Sequence, residues 1–169
     1  DEEGSTIQEQ LRDLLEPATV AQHVDIVLAR LDDSRANVRT AALGILAMQE
    51  SAMLTQHADA LLTSLEDSDW DVRRAALFAL GELELTPAQH ANAVIAMLED
   101  EDDDVRVRKT ALRTLGKLEP ATLAQYANAV LEWLEDDSDH VRFAALNALG
   151  KLEPATLAQH AFAVVARLE

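Results

Sequence analysis

The chain repeats itself, and a repeat of fixed length constrains a fold more than any composition does. Lys117-Leu-Glu-Pro-Ala-Thr-Leu-Ala-Gln125 returns letter for letter at Lys151 to Gln159, and Leu15 to His23 carries an echo of it. A Gln-His step marks His23, His57, His90 and His160, with Tyr126 in the fourth place, at spacings of 34, 33, 36 and 34. A second marker, Val-Arg before a run of small residues and Leu, stands at Val38-Arg39, Val72-Arg73, Val107-Arg108 and Val141-Arg142. The unit is therefore about 34 residues long, with one residue missing near Leu85 and two extra within Asp100 to Arg108. Indels of this kind point to natural tandem duplication.

Each unit reads as two helices, A and B. Helix A of the fourth unit is expected over about Leu123 to Glu135, where Leu123, Ala127, Val130, Leu131 and Leu134 form the stripe of a half-buried helix. The same columns hold Val27, Leu61, Val94 and Val164, then Leu31, Leu65, Leu98 and Leu168. Helix B of the second unit, about Asp69 to Leu83, aligns Val72, Ala76, Leu80 and Leu83. Thr122-Leu-Ala-Gln125 and Thr156-Leu-Ala-Gln159 read as capping boxes, and Pro87 as a first helical residue. Glu-Pro at Pro17, Pro120 and Pro154 stops the preceding helix. The acidic, Ser-bearing A-to-B turns (Asp67-Ser68-Asp69, Asp137-Ser138-Asp139) suit N-caps. Gly81, Gly116 and Gly150 mark places where helices come close. The expected organisation is a single repeat domain over 1–169. It opens with a partial repeat at 1–18, continues with helix pairs at 19–50, 51–85, 86–120 and 121–153, and closes with a lone helix at 154–169. Both ends look cut, as in a fragment of a longer array.

Composition narrows the class. Of 169 residues 49% are hydrophobic and only 4% aromatic, which favours helices packed through Ala and Leu over sheets. The absence of Cys excludes disulfides, thiolate zinc sites and a cysteine nucleophile. No apolar run approaches the roughly 18 residues of a membrane span. With 14 basic and 31 acidic residues, the net charge of −17 repels phosphate backbones and disfavours nucleic acid as a partner. The default expectation is a soluble, cytoplasmic, all-helical protein.

An acidic turn followed by Val-Arg-x-Ala-Ala-Leu-x-x-Leu-Gly resembles HEAT repeats. Asp67 to Gly81 and Asp136 to Gly150 carry the pattern, with Asp32 to Ala47 and Asp102 to Gly116 less regular. The resemblance covers about residues 19 to 169. It implies a right-handed α-solenoid of about ten helices, with helices A outside and helices B on the concave side. It also implies a hydrogen-bonded ladder of turn Asp and helix-B Arg between neighbouring repeats, a role falling on Arg39, Arg73, Arg108 and Arg142. Arg106 beside Arg108 leaves the register of the third repeat open. The family mostly mediates protein–protein contacts, although fold alone does not fix function.

Catalytic chemistry finds little support. Members of the His column lie about one repeat apart, roughly 10 Å given ordinary helix spacing, so they cannot share an ion and are expected to pack or cap. No His-Glu pair exists, which counts against the iron-binding hydroxylases built on HEAT-like repeats. The acid run Glu99 to Asp104 lacks the Gly of a calcium loop and reads as a solvated turn plus helix cap. There is no phosphate-cradling glycine loop and no nucleophile elbow. No cofactor is expected.

The sharper signal is an outward column on helix B. It reads Thr40, Gly44, Met48 in the first repeat; Arg74, Phe78, Glu82 in the second; Lys109, Arg113, Lys117 in the third; and Phe143, Asn147, Lys151 in the fourth. A basic and aromatic strip on an acidic protein is the composition of an interface hot spot. The expected function is a non-catalytic scaffold that binds a partner protein, by an acidic segment, through Arg74, Phe78, Lys109, Arg113, Lys117, Phe143, Asn147 and Lys151. The bland alternative is that Phe78 and Phe143 pack on the next helix while the cations balance nearby turns. A second patch on helices A, with Met97, Trp133 and Phe162, would instead fit a structural subunit of a larger complex, and Trp70 suits either reading. The remaining alternative is a HEAT-like enzyme such as a pigment lyase.

Overall fold

A computed structural model describes residues 23–83, 88–99 and 104–166. The expected first helix over 1–18, Pro17, Pro87 and Leu168 lie outside them. Every element among the described residues is a helix or a turn. The chain divides into two compact units, Asp1–Leu83 and Glu84–Glu169.

Unit 1 contains α1 (Val24–Leu28), α2 (Ala36–Leu46), α3 (Ser51–Gln56), α4 (Ala58–Thr63), a 3-10 turn at Ser64–Glu66, and α5 (Trp70–Gly81). The two B helices, α2 and α5, pack side by side, and α4 with its 3-10 turn folds back on α5. The core between them is Leu43, Leu46, Leu61, Leu65, Val72, Ala76, Leu77 and Leu80, all buried. Ala42 and Ala76 are small residues buried in the same core.

Unit 2 repeats the plan. It contains α6 (Ala88–Glu99), α7 (Val105–Leu115), α8 (Pro120–Leu123), a 3-10 turn at Ala124–Tyr126, α9 (Ala127–Glu132), a second 3-10 turn at Trp133–Glu135, α10 (Asp139–Leu149) and α11 (Pro154–Ala166). The B helices α7 and α10 are again neighbours, and α6 packs on α7. The stripe Leu123, Ala127, Val130, Leu131, Leu134 is buried throughout, against Val107, Ala111, Leu115, Val141, Ala145 and Leu149.

Two local expectations need correcting. Helix A of the fourth repeat starts at Pro120, because Pro arrives with helical φ while Glu119 before it is held extended (φ −53°, ψ 139°). Thr122 therefore lies in the first turn, its N–H donating to the Glu119 carbonyl at 2.9 Å, and is not a cap. Thr156 likewise falls inside α11. The helix is also not continuous. It breaks at Tyr126 (φ −107°, ψ 4°), as its counterpart does at His57 (φ −116°, ψ 16°), and His23 opens α1 in the same sparsely allowed region (φ −127°, ψ 20°). The Gln-His column thus marks the bend of helix A at His57 and Tyr126, and at all three positions the side chain makes no capping hydrogen bond. In α6 and α11, His90 and His160 sit in unbroken helix.

The glycines also separate. Gly81 is the buried last residue of α5. Gly116 and Gly150 are the C-cap residues of α7 and α10, with φ of −67° and −65°. Gly116 serves a close approach, a Cβ there standing 3.3 Å from the Ala148 Cα, whereas one at Gly150 would meet only carbonyls of its own helix.

Candidate functional site

The site is set by the turns that hold the B helices. In each described turn an aspartate folds the chain over itself. Asp33, Asp67 and Asp136 each accept, through Oδ1, from the backbone N–H two residues on, at 2.8 to 2.9 Å. Asp69 and Asp104 then cap α5 and α7 by accepting from Asp71 and Arg106 N–H. The Arg of Val-Arg ties the helix to its turn. Arg39 donates to the Asp33 carbonyl, Arg73 to that of Asp67, and Arg142 to that of Asp136, each at 2.8 Å.

Among the described residues, Arg39 and Arg108 also reach the turn of the next repeat. Arg39 grips Asp67 with two bonds of 2.7 Å, and Arg108 grips Asp136 at 2.9 and 3.4 Å. Both pairs are largely shielded from water; the Arg108 and Asp136 side chains are 18% and 6% exposed. Burial pushes the Asp67 carboxyl up, but the hydrogen bonds from Arg39 and from the Asp69 N–H, with the charges of Arg39 and Arg73, outweigh it and hold the group below its ordinary range. The same contact holds Arg39 charged. Trp133 lies beneath Arg108, ring centre 6.0 Å from the guanidinium carbon, so this half-buried indole helps pack the clamp. Met97 and Trp70 are also half-buried, and the Phe162 side chain lies outside the described residues.

In unit 2, with its clamp in place, the B helices α7 and α10 run in the same direction. Arg108 meets Asp136 at their N-terminal ends, and Gly116 meets Ala148 near their C-terminal ends. Between α7 and α10 this leaves an open furrow of about 520 Å³. Its floor is Leu112, Gly116, Ala144 and Ala148; its walls are Lys109, Arg113 and Lys117 on one side and Phe143, Asn147 and Lys151 on the other. Six of the eight strip residues expected from the sequence therefore share one depression. The chain has three lysines in all, and every one of them lines it. Arg113, Lys117, Asn147 and Lys151 are exposed, and Phe143 is 67% exposed. Lys109, Arg113 and Lys151 enter no ion pair among the described residues.

The other two strip residues belong to unit 1 and differ in kind. Arg74 is engaged by Asp71 one turn back, at 2.6 Å, and Phe78 is 50% exposed. On α2 the column offers Gly44 and an exposed Met48. His140 is a furrow residue that the sequence reading passed over. Its signal was present: 140, 144, 147 and 151 share one helical face, so the column starting at Phe143 extends one turn back.

Among the described residues no group of three His, Asp or Glu side chains is placed to hold a metal ion, and no helix is long and apolar enough to cross a membrane. The sequence matches the HEAT repeats profile over residues 24–106, 58–150 and 92–166. No curated protein matches it significantly. Among solved structures, a designed armadillo repeat protein in complex with the peptide (KR)4 is similar with a TM-score of 0.69 at 17% identity, over 95% of this chain and 77% of its own. An engineered protein gives 0.60 at 19%, over 86% of this chain and 68% of its own. Crescerin, whose TOG domain array is used to regulate microtubules in the primary cilium, gives 0.52 at 20%, over 95% and 82%. At such identities the likeness concerns the fold, an all-α repeat of the solenoid class, generally non-catalytic and typical of protein-interaction scaffolds. The repeat markers, the helix pairs and the profile matches across 24–166 agree: this chain belongs to the HEAT repeat family.

Proposed function

We propose that the chain is a non-catalytic binding module that holds an acidic segment of a partner protein in the furrow between α7 and α10. The observation that carries this reading is the gathering of all three lysines, with Arg113, around one depression of a chain whose net charge is −17. Positive side chains clustered against so negative a background form a local field that draws anions and repels cations. Phe143 adds an exposed aromatic of the type that anchors interfaces. The similar designed armadillo protein is bound to a peptide of alternating Lys and Arg. Here the furrow walls carry the opposite preference. The repeats in this reading run 19–50, 51–85, 86–120 and 121–153, and Arg74 and Phe78 are the strip residues of unit 1. The net charge of −17 on the chain as a whole disfavours the long phosphate backbone of a nucleic acid.

The test is titration of a fluorescein-labelled Glu-rich peptide and a (KR)4 peptide into the wild-type chain and a Lys109→Glu, Arg113→Glu, Lys117→Glu variant. The acidic peptide binds the wild type, weakens with added salt, and is lost from the variant. Capture of partners from cell extract on both proteins then identifies the one lost with the charges. Equal binding of the acidic peptide by both proteins sinks the proposal.

A further inference from the structure

The furrow is graded along its length, and the grading specifies its occupant. The α10 wall runs from His140 in the first turn through Phe143 and Asn147, and beyond the C-cap stands Lys151, at the end where Lys117 leaves α7. The opposite wall is cationic throughout, with Lys109, Arg113 and Lys117 at every fourth residue. Four residues of helix advance about 6 Å, so these cations stand about 6 Å apart, and Phe143 and Lys151 are separated by about 12 Å.

Two residues of an extended strand advance about 6.8 Å with side chains on the same face. A strand lying lengthwise thus presents every second side chain to successive cations. A helix laid in the furrow would match the same spacing with every fourth residue, so peptides of five residues, too short to hold a helix, separate the two occupants.

Resting on the acidic-partner reading above, we infer that the furrow takes an extended segment bearing one apolar side chain on Phe143 and carboxylates two and four residues away from it. The first carboxylate meets Arg113 and Asn147, and the second meets the Lys117 and Lys151 end. The four-residue distance follows from the separation of the two contact points: four extended residues span about 13.6 Å, against about 12 Å between Phe143 and Lys151. Odd spacings turn the carboxylates to the solvent face. The helices set the apolar end and the acidic end, while chain direction is free, so a Trp-Ser-Glu-Ser-Glu peptide and its reverse both qualify.

Fluorescence anisotropy with these two peptides, and with the register control Trp-Glu-Ser-Glu-Ser, tests the inference. At least one alternating peptide binds about tenfold tighter than the control. Lys151→Glu removes that advantage, and Phe143→Ala removes the preference for Trp over Ser at the anchor. Acidic peptides that bind equally in every register, and all weaken with charge reversal on α7, overturn the graded fit while leaving the acidic-partner reading standing. Acidic peptides that fail to bind in any register, or whose binding ignores charge reversal, overturn both.

Discussion

Units 1 and 2 share one scaffold and present different faces. Each sets a turn aspartate against the arginine of the preceding B helix, Arg39 with Asp67 and Arg108 with Asp136, twenty-eight residues apart in both. Each buries the same Leu, Val and Ala columns. The outward columns diverge: in unit 1 they carry Gly44, Met48, Phe78 and an arginine engaged by Asp71, and in unit 2 three lysines, Arg113 and Phe143 around a furrow. Positions that hold one repeat to the next are repeated because geometry permits little else. Positions that only face solvent are free to diverge, and a binding preference is written there.

The largest expected effect is on the shared clamp. Replacing Asp136 by Ala leaves the Arg108 charge shielded without its partner and removes the bond that folds the turn at Ser138. Chemical denaturation is expected to show a loss of about 2–4 kcal/mol, with charge reversal at Arg113 or Lys151 costing less than about 0.5. Equal costs at clamp and face would erase the division of labour between them.

A smaller effect sharpens the contrast at the end of the B helices. Leu83, Leu118 and Leu152 close three of them, and Gln49 holds the same place in the first. Its amide nitrogen bonds the Ile45 carbonyl, but its buried Oε1 has no hydrogen-bond partner among the described residues. Gln49→Leu restores the column and is expected to raise stability by about 1–2 kcal/mol, seen as a higher denaturation midpoint at unchanged slope.

The two units then differ in sign at their helix-B glycines. Nothing lies within 4 Å of a Cβ at Gly44, in the middle of α2, so Gly44→Ala gains about 0.5–1 kcal/mol from helix propensity. Gly116→Ala pushes on the Ala148 backbone beneath the furrow and loses about 1 kcal/mol. Thermal melts of the two variants should move in opposite directions.

The smallest effect concerns acid. Hydrogen bonds from the Arg106 side chain and its N–H hold the Asp104 carboxyl at about 2, below its ordinary 3.8. A carboxyl lowered by folding contributes stability that is complete above the ordinary value and is lost as pH falls through the lowered one. Asp104 therefore weakens the fold only between about pH 4 and 2, and Asp67, held low inside its clamp, loses its contribution in the same direction. Asp104→Asn should flatten the acid arm of the stability profile in that window, its small deficit at neutral pH closing as variant and wild type converge near pH 2.

Much of this was legible in the residues alone. Buried columns such as Leu123, Ala127, Val130 and Leu134 recur at helical spacing, and so does the outward column from Lys109 to Lys117, because side-chain direction in a helix is a local property that periodicity reports. The family pattern likewise named Arg39 and Arg108. The start of helix A at Pro120 follows from Pro itself, whereas the bends at His57 and Tyr126, where the backbone settles into an uncommon region, are visible only in the structure. The tertiary structure alone turned two separate columns into one furrow and added His140 to its wall, because that requires Gly116 to admit Ala148 and Arg108 to hold Asp136. Periodicity tells which way a side chain points from its own helix; what it then faces depends on the distance and direction of the next helix, and those are set by contacts between residues far apart in the chain.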